Sequence, residues 1–531
     1  MKKYLLFTAL WWTIVFDWPL WQSAAAFYNG NFKWSFFLAL GTVFVLLAVA
    51  FVRLLAFLPH RVFQLLMIVL TLAGAGAYCG ALLYGVPVTA DMMRNVIATD
   101  VREATGYLSF KTVSLFLAVS LPPVAATVML RKPDRTVRWR FLKGVAVVLG
   151  AVGIAVALVA ATFQDSAGLF RGNRALRYYI APFNVIYSSI RTMVKDEAPG
   201  DRKVREVIDE KPEMTVHPDS PTLFVVVVGE TTRSANWALN GYTKDTNPQL
   251  SKIPDLINFT DAHACGTSTD VSVPCMFSRS GRRSYDRDQI LREEPLPVVL
   301  QRAGFKVEWI DNQSGSKGAA YQVPERKVNK VDKYCPGGDC FDDAFFAEVD
   351  NAITHLTTDR PTVLFLHMMA AHGPAYYLRS GPEDKLYQPE CRDADLSSCS
   401  RESIVAAYDN SVRNTDRVLA GLIERLRAAK GYNTALYYVS DHGESLGEDG
   451  LFLHGAPYWM APDEQTEVPM VMWFSGDFIR NYGVNVEQLR SIAGKEKVTH
   501  DNLYHTVMGL LKVKGSSYEK AYDLNAARQE H

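Results

Sequence analysis

The sequence predicts an α-helical membrane domain of five spans followed by an α/β domain on a mainly parallel sheet. Three observations carry this expectation. Residues 1–163 are mostly apolar and aromatic, and five segments there reach the about 20 residues that a helix needs to cross a bilayer. From Thr222 onward, short runs rich in β-branched residues alternate with helical patterns, the signature of strands with helices packed on both faces. Several acidic and imidazole residues stand directly after those runs, at strand ends where open α/β sheets place ligands.

The expected spans are 5–26, 34–58, 62–84, 112–130 and 141–163. The first is too long for a cleavable signal peptide, and further spans follow it. Lys2 and Lys3 precede the first span, Arg53 and Arg61 flank the second connection, and Arg131, Lys132, Arg135, Arg138, Arg140 and Lys143 crowd the fourth. The first and third connections are poor in net positive charge. Basic residues favour the cytoplasmic side, so the amino terminus is expected there. Five crossings then put everything after Phe163 outside. The expected domains are 1–163 in the membrane, 164–220 as interfacial helix and linker, and 221–531 as the outer α/β domain.

The cysteines bear on that topology. Of seven, Cys79 falls in a span; the rest form near pairs, Cys265/Cys275, Cys335/Cys340 and Cys391/Cys399. Three local disulfides suit an oxidising compartment. The spacing leaves connectivity open, although short loops favour neighbours. A thiolate metal site is the alternative, but there is no Cys-x-x-Cys. The 56 basic and 56 acidic residues balance, which argues against a nucleic-acid partner.

Between the third and fourth spans, Asn95, Thr99 and Glu103 recur every four residues, on one face of a helix. Segment 174–195 mixes Arg, Tyr, Phe and Ile, which suits a membrane interface or packing on the soluble part. Expected strands are 223–228, 306–310, 362–367, 435–439 and 469–474; expected helices are 296–303, 342–356 and 401–429. Glu230 follows the first strand, His367 and His372 the third, and Asp441, His442 and then His454 the fourth. Oxygen and imidazole donors without thiolate suit Zn²⁺ or Mn²⁺. A hydroxyl-rich turn, Gly266-Thr267-Ser268-Thr269, lies between Cys265 and Cys275, and supplies hydroxyls that a metal can activate. For Thr267, Ser268 and Ser272 the plain expectation is local turn hydrogen bonding.

Val228-Gly229-Glu230-Thr231 and the run Gly-Thr-Ser-Thr-x-x-Ser-Val-Pro-Cys-Met-Phe-Ser from Gly266 resemble the phosphoethanolamine transferases of Gram-negative bacteria, in the alkaline phosphatase and sulfatase superfamily. The lipid A-modifying branch, with the mobile colistin-resistance enzymes, is similar over nearly the whole chain. The resemblance implies a sulfatase-like fold. It implies Zn²⁺ on Glu230, Thr269, Asp441 and His442, with Thr269 also the nucleophile. His372 and His454 match residues near the transferred group that can join a second zinc site. Ser314 and Lys317 match a substrate-binding loop, and Asn95, Thr99 and Glu103 match residues that hold the donor head group. Glu444 and His367 lie in matching motifs. The implied reaction moves phosphoethanolamine from phosphatidylethanolamine to lipid A through a phospho-threonine enzyme, in a monomer at the inner membrane facing the periplasm.

Other readings are distinguishable. Gly443-Glu444-Ser445-Leu446-Gly447 matches the serine-hydrolase elbow, yet Asp441-His442 already occupies the strand end where an elbow serine belongs. A sulfatase maturation motif is absent at the nucleophile. Transfer to core oligosaccharide, a phosphoglycerol transferase with similar architecture, and a non-enzymatic membrane binding protein are the remaining alternatives. Asp17, an acid inside the first span, is the feature that favours the last of these.

Overall fold

The computed structural model describes all residues except 28–32, 99–108, 131–136, 173, 196–203, 332, 336–339 and 528–531. The described residues pack as two units, one running up to Val194 and the other from Lys195 onward.

In the first unit, four described helices are long and apolar enough to cross a membrane: Trp34–Leu55, His60–Tyr84, Phe110–Val128 and Phe141–Ala161. The expected first span differs. It runs as an α-helix Lys2–Trp11, a π-helical turn Trp12–Phe16, and a second α-helix Trp18–Phe27. The break falls at Asp17, whose carboxylate is turned to accept a hydrogen bond from the Ala181 backbone N–H at 2.8 Å. Pro19 then sits in the first turn of the next helix, where its missing N–H costs nothing. Among the described residues four uninterrupted helices are thus long and apolar enough to cross a membrane, and the first of the five expected spans is this broken segment. Helix Phe183–Lys195 buries Asn184, Ser188 and Thr192, spaced by four, and exposes Tyr187 and Ile190. Ser188 Oγ donates to the Val88 carbonyl at 2.8 Å and Thr192 Oγ1 to that of Ala90 at 3.2 Å, so this helix packs on the connection after His60–Tyr84.

The second unit is built on a seven-stranded sheet. Its strands in chain order are β1 Thr222–Gly229, β2 Ile257–Phe259, β3 Lys306–Asp311, β4 Glu325–Lys327, β5 Thr362–His367, β6 Asn433–Ser440 and β7 Met470–Phe474. Their order across the sheet is β2-β7-β6-β1-β5-β3-β4. The five strands from β6 to β4 are parallel; β7 runs antiparallel to β6 and β2 at one edge. Strands covered on both faces read as unbroken apolar runs, and every residue of β1, Leu-Phe-Val-Val-Val-Val included, is buried. The expected helix over 342–356 splits into a 3₁₀ turn Asp342–Ala344 and an α-helix Phe345–Thr354. Asp342 causes this: its carboxylate turns inward to cap the Met369 and Ala370 N–H groups at 2.9 and 2.8 Å. Strand β4, Glu-Arg-Lys, has no apolar pattern and escapes sequence reading.

The six paired cysteines join neighbour to neighbour, as Cys265–Cys275, Cys335–Cys340 and Cys391–Cys399. This settles the connectivity that spacing left open and removes the thiolate metal site. The bridges differ in what they enclose. Cys265–Cys275 spans the turn that carries Thr269, whereas the other two close separate loops. Cys335–Cys340 lies between β4 and the Asp342–Ala344 turn, and Cys391–Cys399 lies just ahead of helix Arg401–Ala428. Cys340 and Cys399 are each half-buried. Neither Cys340 nor Cys399 has a hydrogen bond to Glu230, Thr269, Asp441 or His442 among the described residues; the Cys340 carbonyl instead accepts from Asn312 Nδ2 at 3.1 Å. Such bridges restrict the unfolded chain, and rings this short restrict it least.

Register fixes what the carboxyl edge of the sheet carries. Val228 pairs with Val439 on one side and His367 on the other, and Asp311 pairs with His367. The residues leaving these four strands therefore meet at one level.

Candidate functional site

Strand β1 ends at Gly229, where a Cβ would lie 2.5 Å from the Tyr438 hydroxyl, so only glycine fits. The next residue, Glu230, is fully buried and turned toward Asp441 and His442, which leave β6. Oxygen and nitrogen atoms of these three lie within 4.8 Å of one another. His442 Nε2 is 3.4 Å from Glu230 Oε1 and 3.4 Å from Asp441 Oδ2. His442 Nδ1 donates to the Gly443 carbonyl at 2.9 Å, which leaves Nε2 as the free donor atom toward the carboxylates.

Thr269 joins them from another direction. It opens helix Thr269–Met276, inside the loop that the Cys265–Cys275 bridge closes. Its Oγ1 donates to Glu230, with Oε1 at 3.1 Å and Oε2 at 3.2 Å, and lies 3.5 Å from His442 Nε2. The free N–H groups at a helix start favour an anionic ligand there.

Two of the three neighbouring hydroxyls depart from expectation. Ser272 Oγ donates to the Asp441 carbonyl, and Thr267 Oγ1 to that of Ala456 at 2.6 Å. These are tertiary ties, not local turn bonds: they fasten the Thr269 turn to β6 and to the loop carrying His454. His500 adds another. Its Nδ1 accepts from the Cys265 N–H and its Nε2 donates to the Ser440 carbonyl, both at 3.0 Å.

The electrostatics fit a cation. Burial would raise the Glu230 carboxyl, but the His367 and His442 imidazoles hold it well below its ordinary range. Asp441 is less relieved: burial and the Glu230 charge push it up to about 7. Burial works to lower His442, yet the two carboxylates override it and raise it to about 10. Asp441 Oδ2 is buried with no hydrogen-bond partner. Two adjacent buried carboxylates beside the His442 imidazole, with Asp441 Oδ2 left without a hydrogen-bond partner, suit a divalent ion bound through oxygen and nitrogen.

A second layer supports the first. His367 Nδ1 donates to Asp311 Oδ1 at 2.9 Å, while Nε2 lies 3.6 Å from Glu230 Oε2. Lys327, from β4, pairs with Asp311. Burial opposes the charge on His367, but Asp311 and Glu230 raise it to about 9. Outer partners of this kind commonly tune metal affinity by about 10- to 100-fold. Asp311→Asn is accordingly expected to weaken metal retention and turnover by about tenfold or more, read by metal titration beside initial rates.

Beyond the carboxylates stand two further imidazoles. The His454 ring centre lies 4.5 Å from that of His442 and 5.7 Å from that of His372. His454 Nδ1 meets Glu444 Oε2 at 2.7 Å, and the Tyr376 hydroxyl donates to Glu444 Oε1 at 2.6 Å. Burial pushes His372 down to about 3, so it stays neutral. Ser445, the elbow serine, is buried in a short strand and its Oγ accepts from Gln465 at 2.9 Å, which removes the hydrolase reading. Ser314 and Lys317 occupy the loop after β3, half-buried; Lys317 Nζ donates to the Ser314 carbonyl at 3.3 Å. No hydrogen bond among the described residues joins them to Thr269. Asn95 lies in helix Ala90–Ala98 of the first unit, while Thr99 and Glu103 fall outside the described residues.

Asp311 could have been found by the rule that found Glu230 and Asp441, since it also ends a strand. His500 carries no local signal. Burial pushes it down to about 3, from an ordinary 6.5. The unfolded chain then binds a proton that the folded one refuses, so stability is present above pH 6.5 and is lost as pH falls below it, by up to about 1.4 kcal/mol per pH unit for one such group. His500→Gln is expected to flatten that slope in thermal unfolding of the full chain.

Residues 222–513 match the sulfatase family model, and residues 33–196 match the one described as phosphoethanolamine transferase EptA/EptB. The phosphoethanolamine transferase EptA of Salmonella typhimurium is 35% identical over 469 residues, 87% of this chain and 85% of that protein. The phosphatidylethanolamine transferase Mcr-1 of Escherichia coli is 31% identical over 447 residues, 81% of this chain and 80% of that protein. The solved integral membrane lipooligosaccharide phosphoethanolamine transferase A (EptA) from Neisseria meningitidis matches with a TM-score of 0.94 and 30% identity, covering 99% of this chain and 98% of that chain.

Proposed function

The chain belongs to the phosphoethanolamine transferase family of EptA and Mcr-1, and from that premise we propose that it transfers phosphoethanolamine from phosphatidylethanolamine to a lipid A phosphate, with Thr269 as nucleophile. The observation that carries the reading is the Thr269 hydroxyl set against Glu230, Asp441 and His442 at the carboxyl edge of the sheet.

Glu230, Asp441, His442 and Thr269 would hold a zinc ion. Bound zinc supplies positive charge that lowers the pKa of a ligand hydroxyl and offsets phosphoryl charge. Glu230 orients the Thr269 Oγ1 hydrogen. In the first half-reaction the Thr269 Oγ1 proton passes to the Glu230 carboxylate that accepts it, the Oγ1–P bond forms, the bond from phosphorus to the glycerol oxygen breaks, and diacylglycerol leaves with a proton. His454 delivers that proton; its Nδ1 contact with Glu444, which leaves Nε2 for the leaving oxygen, supports this role. In the second half-reaction a lipid A phosphate oxygen attacks the phosphorus, the Oγ1–P bond breaks, and the Thr269 oxygen takes back its proton from Glu230. Two half-reactions let one site serve two bulky lipids in turn. His372, neutral through burial, borders the transferred group, and Lys317 with Ser314 binds substrate, as Asn95, Thr99 and Glu103 bind the donor head group.

The segment Lys2–Phe27 rises about 39 Å if helical throughout, more than the about 30 Å hydrocarbon core, so it serves as a fifth crossing despite its break. With the amino terminus cytoplasmic, the second unit then faces the periplasm of a Gram-negative cell, attached to the inner membrane. Exchanging phosphate charge for a zwitterion weakens attraction to cationic peptides. Proteoliposomes containing phosphatidylethanolamine test the donor half-reaction: the full chain should release diacylglycerol. Release that needs phosphatidylglycerol instead would favour a phosphoglycerol transferase.

A further inference from the structure

The first unit holds a cavity of about 370 Å³. Trp12 and Asp17 from the broken segment, Phe44 to Leu54 from helix Trp34–Leu55, and Ala181 with Phe183 wall it. We propose that this cavity binds one acyl chain of a diacyl glycerophospholipid, with Trp12 Nε1 donating a hydrogen bond to its ester carbonyl.

Four observations support this. The lining is almost wholly apolar, and the volume is more than twice the about 150 Å³ that accommodates a benzene. Phe44 to Leu54 extends about 15 Å along its helix, half of an about 30 Å hydrocarbon core, which is the depth that the chains of one leaflet fill. Leu47 and Leu54, both lining residues, are exposed at 43% and 50%, so the cavity opens on the lipid-facing side of that helix. Trp12 is 1% exposed, and its Nε1 has no hydrogen-bond partner. A buried indole N–H ordinarily finds an acceptor, and an ester carbonyl is the acceptor that a lipid brings.

The sequence anomalies of the first segment acquire a purpose here. The π-helical turn Trp12–Phe16 presents Trp12 and Thr13 to the cavity, and such turns concentrate at functional sites. Asp17 ties the far wall to this turn through the Ala181 N–H. A water cluster fits poorly, since a buried water needs two to four polar partners.

Photo-crosslinking decides it. Full-length protein in nanodiscs is irradiated with phosphatidylethanolamine carrying a diazirine on one acyl chain, and labelled residues are mapped by peptide sequencing. Labelling should concentrate on Phe44–Leu54 and Ile180–Phe183, above the lipid-exposed face of Phe110–Val128. Ala48→Phe, which fills the cavity, should bring that labelling to background while Phe110–Val128 labels as before. Trp12→Phe keeps the ring and removes the donor; labelling should fall about fivefold, the weight of one neutral hydrogen bond. Wild-type labelling no higher in the cavity than on Phe110–Val128 overturns the proposal even if a variant fails to fold. So does labelling by a photoreactive lipid A but not by the phospholipid.

Discussion

Thr269→Ala is expected to reduce diacylglycerol release from phosphatidylethanolamine by about a thousandfold or more, the scale seen when a covalent nucleophile is removed. Thr269→Ser should retain most of the rate. The expectation rests on position. Thr269 is 7% exposed, faces Glu230 with its hydroxyl, and opens a helix whose first N–H groups attract an incoming phosphoryl anion. Its neighbours have other duties: Thr267 and Ser272 spend their hydroxyls on Ala456 and Asp441 carbonyls. Neither of these two hydroxyls is therefore free to replace it. The alanine variant should keep its fold, since it loses one hydrogen bond worth about 1 kcal/mol. A variant that is folded yet still turns over at near wild-type rate would remove Thr269 from the mechanism.

Asp441→Asn should separate metal binding from folding. Catalysis should fall by about a thousandfold, because the change removes one carboxylate charge from the proposed ion site and weakens charge stabilisation at the reacting centre. Wild-type protein with metal at a hundredfold excess over its Kd should gain about 3 kcal/mol of stability, and the variant should gain far less. Without metal the order should invert. The folded Asp441 carboxyl sits near 7 against an ordinary 3.8, so the metal-free wild type loses stability as pH rises between those values. Asp441→Asn has no such cost and should unfold at a higher temperature than metal-free wild type at pH 8. Thermal unfolding with and without chelator reads both signs. A variant that gains as much from metal as wild type would place the ion elsewhere.

Much of this site was legible because strand ends are legible. The run Leu223–Val228 announces a doubly covered strand, and the register of β1, β5 and β6 then brings Glu230, His367 and Asp441 to one edge. Thr269 was reached by resemblance alone, since four hydroxyl residues crowd its turn and spacing ranks none of them. What sequence missed depends on tertiary contact. His500 reaches the site through two backbone groups far away in the chain, Cys265 N–H and the Ser440 carbonyl. Lys327 lies on a polar strand without periodicity. Near pairing of cysteines foretold the bridges but not their duties: only the fold separates the one around Thr269 from those closed by Cys340 and Cys399. The break at Asp17 was hinted at by an acid beside Pro19, but its cause, the Ala181 N–H, is 164 residues distant.

Mass spectrometry of lipid A and core oligosaccharide, from a Gram-negative host expressing the full chain beside its Thr269→Ala variant, tests donor, acceptor and nucleophile together. The expected result is a phosphoethanolamine addition on lipid A with the wild-type chain and none with the variant. An addition on core sugar alone would exclude lipid A as the acceptor, and an addition that survives in Thr269→Ala would exclude Thr269 as the nucleophile.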